Sequence, residues 1–406
     1  MSSNIEIQKL GELANHISSG STPLGGRSVY LDEGPVMLIR SQNVRMNHLL
    51  LDDVAFVSDE IDSSMKRSRL EPQDVLLNIT GASIGRVARF SSRSQRANVN
   101  QHVCIIRTKH DRLAPRYLEY FLSSPFVQNE IHNELQRGGT RQALTFKQIS
   151  EFEIPLPSLV EQERIADILD KADAIRRKRK HAIGLTEQFV RSTFLDIFGD
   201  PVVNPRNWKT VPVSHFVSKL EGGKNLKPAS EDALTKYYVL KVSAVTWGEY
   251  RAQECKPLPS TYSPPESHFV QKGDLLISRA NTRELIGATA FVRDTPSNLV
   301  LPDKIWRFIW KSDVKVSPLF VHFLFSHQGI QSKIGRRASG SSGSMKNIAK
   351  SKLLSIEVPF PKFDLQKEFE DIVKKVWGTA EHQQTASKNS TDLFDSLVQR
   401  AFKGEL

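Results

Sequence analysis

Ile154-Pro155-Leu156-Pro157, followed closely by Glu161-Gln162-Glu163-Arg164-Ile165-Ala166-Asp167-Ile168-Leu169-Asp170, joins an extended segment to a helix. The alternating prolines prevent the strand from running on, because proline has no N–H to give to a ladder. Beyond them Ile165, Ile168, Ala172, Ile175, Ala182, Phe189 and Phe198 recur mostly three, four or seven apart, the mark of a helical stripe. Unbroken from Gln162 to Phe198, such a helix would span about 55 Å at about 1.5 Å per residue. The same junction returns at an offset of 204 as Val358-Pro359-Phe360-Pro361, with Gln366 in place of Gln162 and Phe402 in place of Phe198.

Working outward, the two halves match in order. Leu70-Glu71-Pro72-Gln73-Asp74-Val75-Leu76-Leu77 resembles Val270-Gln271-Lys272-Gly273-Asp274-Leu275-Leu276-Ile277, and Tyr117-Leu118-Glu119-Tyr120-Phe121-Leu122 resembles Phe320-Val321-His322-Phe323-Leu324-Phe325. The offsets, 200 and 203, drift slowly, as a few loop insertions would make them do. In each copy short runs rich in Val, Ile and aromatics read as strands: Val36 to Arg40, Val75 to Ile79, Val103 to Arg107, Tyr238 to Val242 and Trp306 to Trp310. Helices are expected over Pro115 to Leu135 and Pro318 to Ile334. The expected class is α+β, with two mixed α/β domains in tandem, each followed by a long helix. The boundaries fall at 1–158, 159–200, 201–362 and 363–406.

The second stripe comprises Leu365, Phe369, Ile372, Val373 and Val376, then Leu393, Leu397, Val398 and Phe402. Both stripes need an apolar partner. Pairing with each other as an antiparallel coiled coil about a pseudo-two-fold axis is one solution, and packing of each helix on its own domain is the other. Gly184 and the Gly378 region are possible interruptions. Gly199-Asp200-Pro201-Val202-Val203-Asn204-Pro205-Arg206-Asn207-Trp208 is turn-rich and ends the first helix. Antiparallel pairing would bring Leu406 beside the start of the first domain.

The chain has 406 residues, 39% of them hydrophobic, and a formal charge of +11, with a pI near 9.5. A polyanionic partner suits that charge, as would a ribosome or a membrane surface. The excess is regional: residues 1–204 hold 26 Lys+Arg against 25 Asp+Glu, and residues 205–406 hold 30 against 20. Cys104 and Cys255 are the only cysteines, which excludes a disulfide framework and suits a cytoplasmic protein. No stretch reads as a membrane span or signal peptide.

Catalytic patterns are missing. There is no Gly-x-x-x-x-Gly-Lys-Ser/Thr loop, no His-Glu-x-x-His pair and no nuclease carboxylate cluster. Gly81-Ala82-Ser83-Ile84-Gly85 lacks the dinucleotide-binding spacing and reads as a tight turn. Lone histidines such as His102, His181 and His322 read as surface or satisfied core residues. No catalytic, cofactor-binding or metal residue is expected.

A DNA reader needs Arg or Lys for phosphate and guanine, and Asn, Gln, Ser or Thr for base edges, on loops held by a rigid scaffold. Arg40, Gln42 and Asn43 end a strand in the first copy, with Lys241 and Ser243 in the similar place in the second. Arg137, Thr140, Arg141 and Gln142 lie in a glycine-containing basic loop matched by Arg336, Arg337 and Ser341. Arg279, Asn281 and Arg283 stand where the first copy has Ile79 to Ser83. Each of these side chains would equally suit a solvated surface. The loops differ between copies while the framework repeats, as two domains reading different bases would require.

Together these features resemble the specificity subunit of type I restriction–modification enzymes. The resemblance covers essentially the whole chain. It is carried most specifically by the residues from Ile154 to Asp170 quoted above, by Asn204-Pro205-Arg206-Asn207-Trp208, and by Leu10-Gly11-Glu12-Leu13 leading to Gly20-Ser21-Thr22-Pro23. The second copy departs from it at Lys367-Glu368-Phe369 and at Gly222-Gly223-Lys224. The resemblance implies two target-recognition domains that each read half of a split site in double-stranded DNA. The helices would fix the spacer and dock two methyltransferase subunits and restriction/translocase subunits. S-adenosylmethionine, ATP and Mg would belong to those partners, with no cofactor in this chain. The run Arg176-Arg177-Lys178-Arg179-Lys180 would touch DNA or partners, or else form a solvated helix face. Two other readings stay open: a nucleic-acid-binding scaffold without sequence preference, and a self-contained methyltransferase or nuclease.

Overall fold

The computed structural model describes residues 6–137, 143–225, 235–340 and 345–406, without the side chains of 134–137. The chain divides into two units, one of residues 1–181 with 384–406 and the other of residues 182–383.

In the first unit β1 (Ala14–Ser19), β2 (Val36–Ile39), β3 (Val75–Asn78), β4 (Val87–Arg89), β5 (Arg96–Val99) and β6 (Val103–Thr108) form two sheets. One has the order β1-β6-β3-β4, and the other places β2 between Ala55–Val57 and β5. In the second unit β7 (Val217–Gly222), β8 (Tyr238–Leu240), β9 (Leu275–Ser278), β10 (Thr289–Phe291), β11 (Leu299–Val300) and β12 (Ile305–Trp310) repeat this plan. Their orders are β7-β12-β9-β10 and Cys255–Pro257 beside β8 beside β11. Each sheet pair is closed by a helix, α1 (Pro115–Ser123) or α3 (Pro318–Ser326), and each unit continues into a long helix, α2 (Leu159–Phe198) or α4 (Phe363–Lys403).

The repeated Asp shows why the copies fold alike. Asp74 accepts from Glu71 N at 2.7 Å and pairs with Arg107; Asp274 accepts from Gln271 N at 2.8 Å and pairs with Arg307. Each carboxylate thereby closes the turn that starts a central strand. The residue before it has positive φ, 80° at Gln73 and 94° at Gly273. Glycine adopts that conformation freely, whereas Gln73 is held there at a cost.

The strands expected from sequence are present to within a residue or two. The helices differ in detail. The run from Pro115 breaks at Ser124, because Pro125 can begin a helix but not continue one. The run from Pro318 breaks at His327, whose side chain caps the next helix by accepting from Gly329 N at 3.2 Å. The long helices run through Gly184 and Gly378, both of which face open space.

The stripes are shared between both expected partners. In the first unit Ile165 and Leu169 of α2 enter the core with Tyr117, Tyr120 and Phe121, and so do Phe394, Val398 and Ala401 from the far end of α4. In the second, Phe369 and Val373 of α4 meet Val190, Phe194 and Phe198 of α2 around Phe320. The helix segments run antiparallel in each unit: Arg176 lies over Phe394 and Arg179 reaches Ala386 in the first, while Thr186 meets Gln383 and Phe194 meets Phe369 in the second. Ile175 and Phe189, expected in the buried stripe, are instead about half exposed, as is Leu393. A 3.6-residue period drifts off a straight seam over forty residues, so the buried face at one end is not the buried face at the other.

Two buried glutamines fix the helix starts. Gln162 accepts from Ala114 N at 2.8 Å and donates to Arg112 O and Pro157 O, both at 2.9 Å. Gln366 does the same work with Ser317 N at 3.0 Å and Pro361 O at 2.8 Å. The connector ends α2 as expected: Gly199 has φ 76°, and Trp208 Nε1 donates to Phe198 O at 2.8 Å. Leu406 packs against the core that contains Leu10 and Leu13.

Candidate nucleic-acid interface

Parallel strands end at the same edge, and that rule assembles the candidate site. In the first unit β2 and β5 pair in parallel from Val36 opposite Arg96 to Ile39 opposite Val99, so Arg40 and Asn100 leave the sheet together. Gly20 packs so closely here that a Cβ would lie 1.7 Å from Val99 O. At the end of β3, Asn78 donates from Nδ2 to Ser41 O at 2.8 Å, tying the next loop to the same edge. Thr80 then bridges to Ala143, and Leu144 N donates to Ile79 O at 3.0 Å.

The second unit builds the edge again. β8 and β11 are parallel, with Tyr238 opposite Leu299 and Val239 opposite Val300. A Cβ on Gly223 would lie 1.7 Å from Leu301 O, the contact that Gly20 makes in the first unit. The departure of Gly222-Gly223-Lys224 from the Gly-Ser-Thr-Pro form therefore leaves this close approach intact. Asn281 donates to Thr246 Oγ1 at 3.2 Å, Ala280–Asn281 pairs with Lys346–Asn347, and Ile348 N donates to Arg279 O at 3.0 Å. A Cβ on Gly335 would come within 2.8 Å of Arg283 O, so the helix carrying Arg336 abuts the 279–283 loop.

The candidate side chains thus gather at one edge within each unit, in differing states. Asn43 is buried and spent on the loop: Oδ1 accepts from Arg40 N at 3.0 Å, and Nδ2 donates to Leu50 O at 3.0 Å and Asp53 O at 3.3 Å. Arg40 donates to Asp53 O at 3.1 Å and lies over Tyr30, while Gln42 is exposed and donates to Asp53 Oδ2 at 3.1 Å. Ser243 donates to Glu254 at 2.7 Å, with Lys241 4.0 Å from the same carboxylate. Arg279 donates to Asp303 O at 2.7 Å and Oδ2 at 3.1 Å. Arg283 and Arg336 are exposed; Arg337, also exposed, donates to Ser355 Oγ at 3.2 Å. Thr140, Arg141, Gln142 and Ser341 lie outside the described residues, as does the side chain of Arg137.

Sequence reading missed one loop in each unit. In the first, Thr22, Gln101, His102 and Thr80 form a hydrogen-bonded chain across three loops. In the second, the matching turn carries Asp303, the partner of Arg279. Asn100-Gln101-His102 is legible as a turn between two strand patterns, but its place at the edge depends on the parallel pairing of β2 with β5, which no local pattern encodes. The basic run of α2 is largely engaged. Arg176 and Arg177 pair with the fully buried Asp173 and Arg179 bonds to a backbone carbonyl, while Lys178 and Lys180 are exposed.

No group of three or more His, Cys, Asp or Glu able to hold a metal occurs among the described residues. Burial pushes the Cys104 thiol up to about 12, so it is no nucleophile at neutral pH. No helix among the described residues is long and apolar enough to cross a membrane.

The model of the type I restriction modification DNA specificity domain matches residues 2–184. The specificity subunit of the type I restriction enzyme EcoKI of Escherichia coli K12 is 22% identical over 404 residues, covering 93% of this chain and 84% of the relative. Over nearly its whole length the chain is similar to specificity subunits of type I restriction enzymes. A putative MjaX specificity subunit of Methanocaldococcus jannaschii is 23% identical over 89% of this chain and 84% of its own length. Among solved structures, the type I S subunit of M. genitalium shares the fold at TM-score 0.58 and 15% identity, over 99% of this chain and 97% of that one.

Proposed function

We propose that residues 1–158 and 201–362 are target-recognition domains, each reading one half of a bipartite site in double-stranded DNA with the edge described above. Helical segments 159–200 and 363–406 hold the two half-sites at a fixed separation. They dock two methyltransferase subunits and the restriction/translocase subunits, and S-adenosylmethionine, ATP and Mg act in those partners. The carrying observation is that one edge is built twice with the same backbone contacts and different side chains, as two readers of different sequence require. The net charge of +11 supplies the general attraction to a polyanion. Partner docking is supported by a solved structure of TM-score 0.54 and 16% identity, whose subject is complex assembly of a type I system.

The test is retention of a randomised duplex library by the chain co-expressed with its modification subunit, at moderate salt. Two short, unlike blocks at constant separation are expected. Salt-sensitive retention with no enriched sequence would mean a scaffold without base preference.

A further inference from the structure

We propose that Gln101 is a base-reading side chain of the first domain and that it selects adenine; this rests on the reading above that its edge faces duplex DNA. A glutamine amide has an oxygen that accepts two hydrogen bonds and a nitrogen that donates two. Thr22 Oγ1 donates to Gln101 Oε1 at 2.5 Å. On the other side of the amide, Gln101 Nε2 lies 3.0 Å from His102 Nε2, and His102 Nδ1 lies 2.5 Å from Thr80 Oγ1. Because the amide nitrogen only donates, the His102 Nε2 facing it accepts. The other ring nitrogen, Nδ1, faces Thr80 Oγ1.

This arrangement uses one acceptor site and one N–H of Gln101 and leaves one of each. Gln101 is exposed, so the remaining acceptor and donor are open to solvent on one amide. That pair complements adenine in the major groove, where N6 donates and N7 accepts. Guanine offers two acceptors at the same edge, O6 and N7, and would set O6 against Oε1. Contacts on both sides of the amide also hold it in one orientation before DNA arrives, so little freedom is lost on binding. Thr22 is a positioning residue that acts through Gln101.

The second domain has no such amide in its matching turn. There Asp303 holds the Arg279 guanidinium, so the adenine preference belongs to one half-site only.

The experiment repeats the library enrichment with the full chain in its complex, comparing wild type with Gln101→Ala, Thr22→Val and Thr22→Ser. Gln101→Ala should reduce the preference at a single A·T pair of one block about tenfold, within the range of one lost bidentate contact. The other block should be unchanged, which also reports a folded chain. Thr22→Val should weaken the same position by a smaller factor, and Thr22→Ser should restore it. A wild-type motif that survives Gln101→Ala intact overturns this assignment and leaves the two-domain reading standing. So does a loss that falls on a G·C pair or spreads over both blocks. A wild-type chain that enriches no motif overturns both.

Discussion

The joints where the two domains meet the long helices occupy equivalent places in the repeat, but the second is closed by phenylalanine rings while the first mixes rings with buried polar groups. In the second unit Phe194, Phe198, Phe320, Phe323 and Phe369 interlock, with ring centroids 4.9–6.4 Å apart. The corresponding positions of the first are Val398, Phe402, Tyr117, Tyr120 and Ile165. There the Tyr120 hydroxyl donates to Asp170 at 2.6 Å, Arg89 pairs with buried Glu119, and a cavity of about 330 Å³ opens among Asn47, Arg89, Glu119, Tyr120, Asp170 and Arg177. In place of Glu119 and Arg89 the second unit has His322 and Phe291, and His322 Nδ1 lies 3.0 Å from Oγ1 of Thr289, which stands where the first has Val87. One backbone plan therefore tolerates either an aromatic or a hydrogen-bonded joint, provided that buried polar groups find partners.

Cutting into the aromatic joint should show the contrast most strongly. Phe369→Ala removes a fully buried ring and should cost about 3–5 kcal/mol, against about 2–4 kcal/mol for Ile165→Ala at the matching place. Denaturant unfolding of the two variants would compare them, and equal costs would mean that the joints are energetically alike.

Acid should separate the joints by sign. Burial lowers the His322 pKa to about 4, below its ordinary 6.5, so the unfolded chain binds the proton first. The second unit is then fully stable above pH 6.5 and loses up to about 3 kcal/mol as pH falls toward 4. Burial instead raises the pKa of Glu119, so its contribution is present below the ordinary carboxylate range and is lost as pH rises through the folded value. Hydrogen exchange at pH 7 and pH 5, resolved by peptide, should show protection falling more in residues 182–383 than in 1–181. Equal loss in both units would contradict the assignment.

A smaller effect is expected of Glu119→Gln. It keeps the shape and the acceptor for Arg89 N, now 3.2 Å away, but removes the charge facing the Arg89 guanidinium. Thermal unfolding should show the variant gaining stability over wild type at neutral pH, because burial disfavours the wild-type carboxylate, with the gain shrinking in acid as that carboxyl protonates. A difference independent of pH would mean that the charge is irrelevant to the joint.

Much of this architecture was legible in the sequence because it is encoded locally. Pro155 and Pro157 mark the strand-to-helix junction, the 200-residue offset from Asp74 to Asp274 marks the repeat, and the spacing from Ile165 onward marks the long helix. Contacts formed at a distance were not. That each helix gives one end to its own unit and the other to the second depends on which face is buried at each end, and Ile175 and Phe189 were misplaced for that reason. At the candidate interface the gathering of Arg40, Arg279 and their neighbours on loops could be anticipated from strand ends. The part of Asn43 in shaping its own loop could not, since a buried Asn and a base-reading Asn are written with the same letter.

The central claim is that each domain reads its own half-site. Replacing residues 1–158 with the same segment of another specificity subunit, then enriching a randomised duplex library on the assembled complex, tests it most directly. The account predicts that one block of the motif changes while the other block and the separation stay as they were. Simultaneous change of both blocks would contradict it.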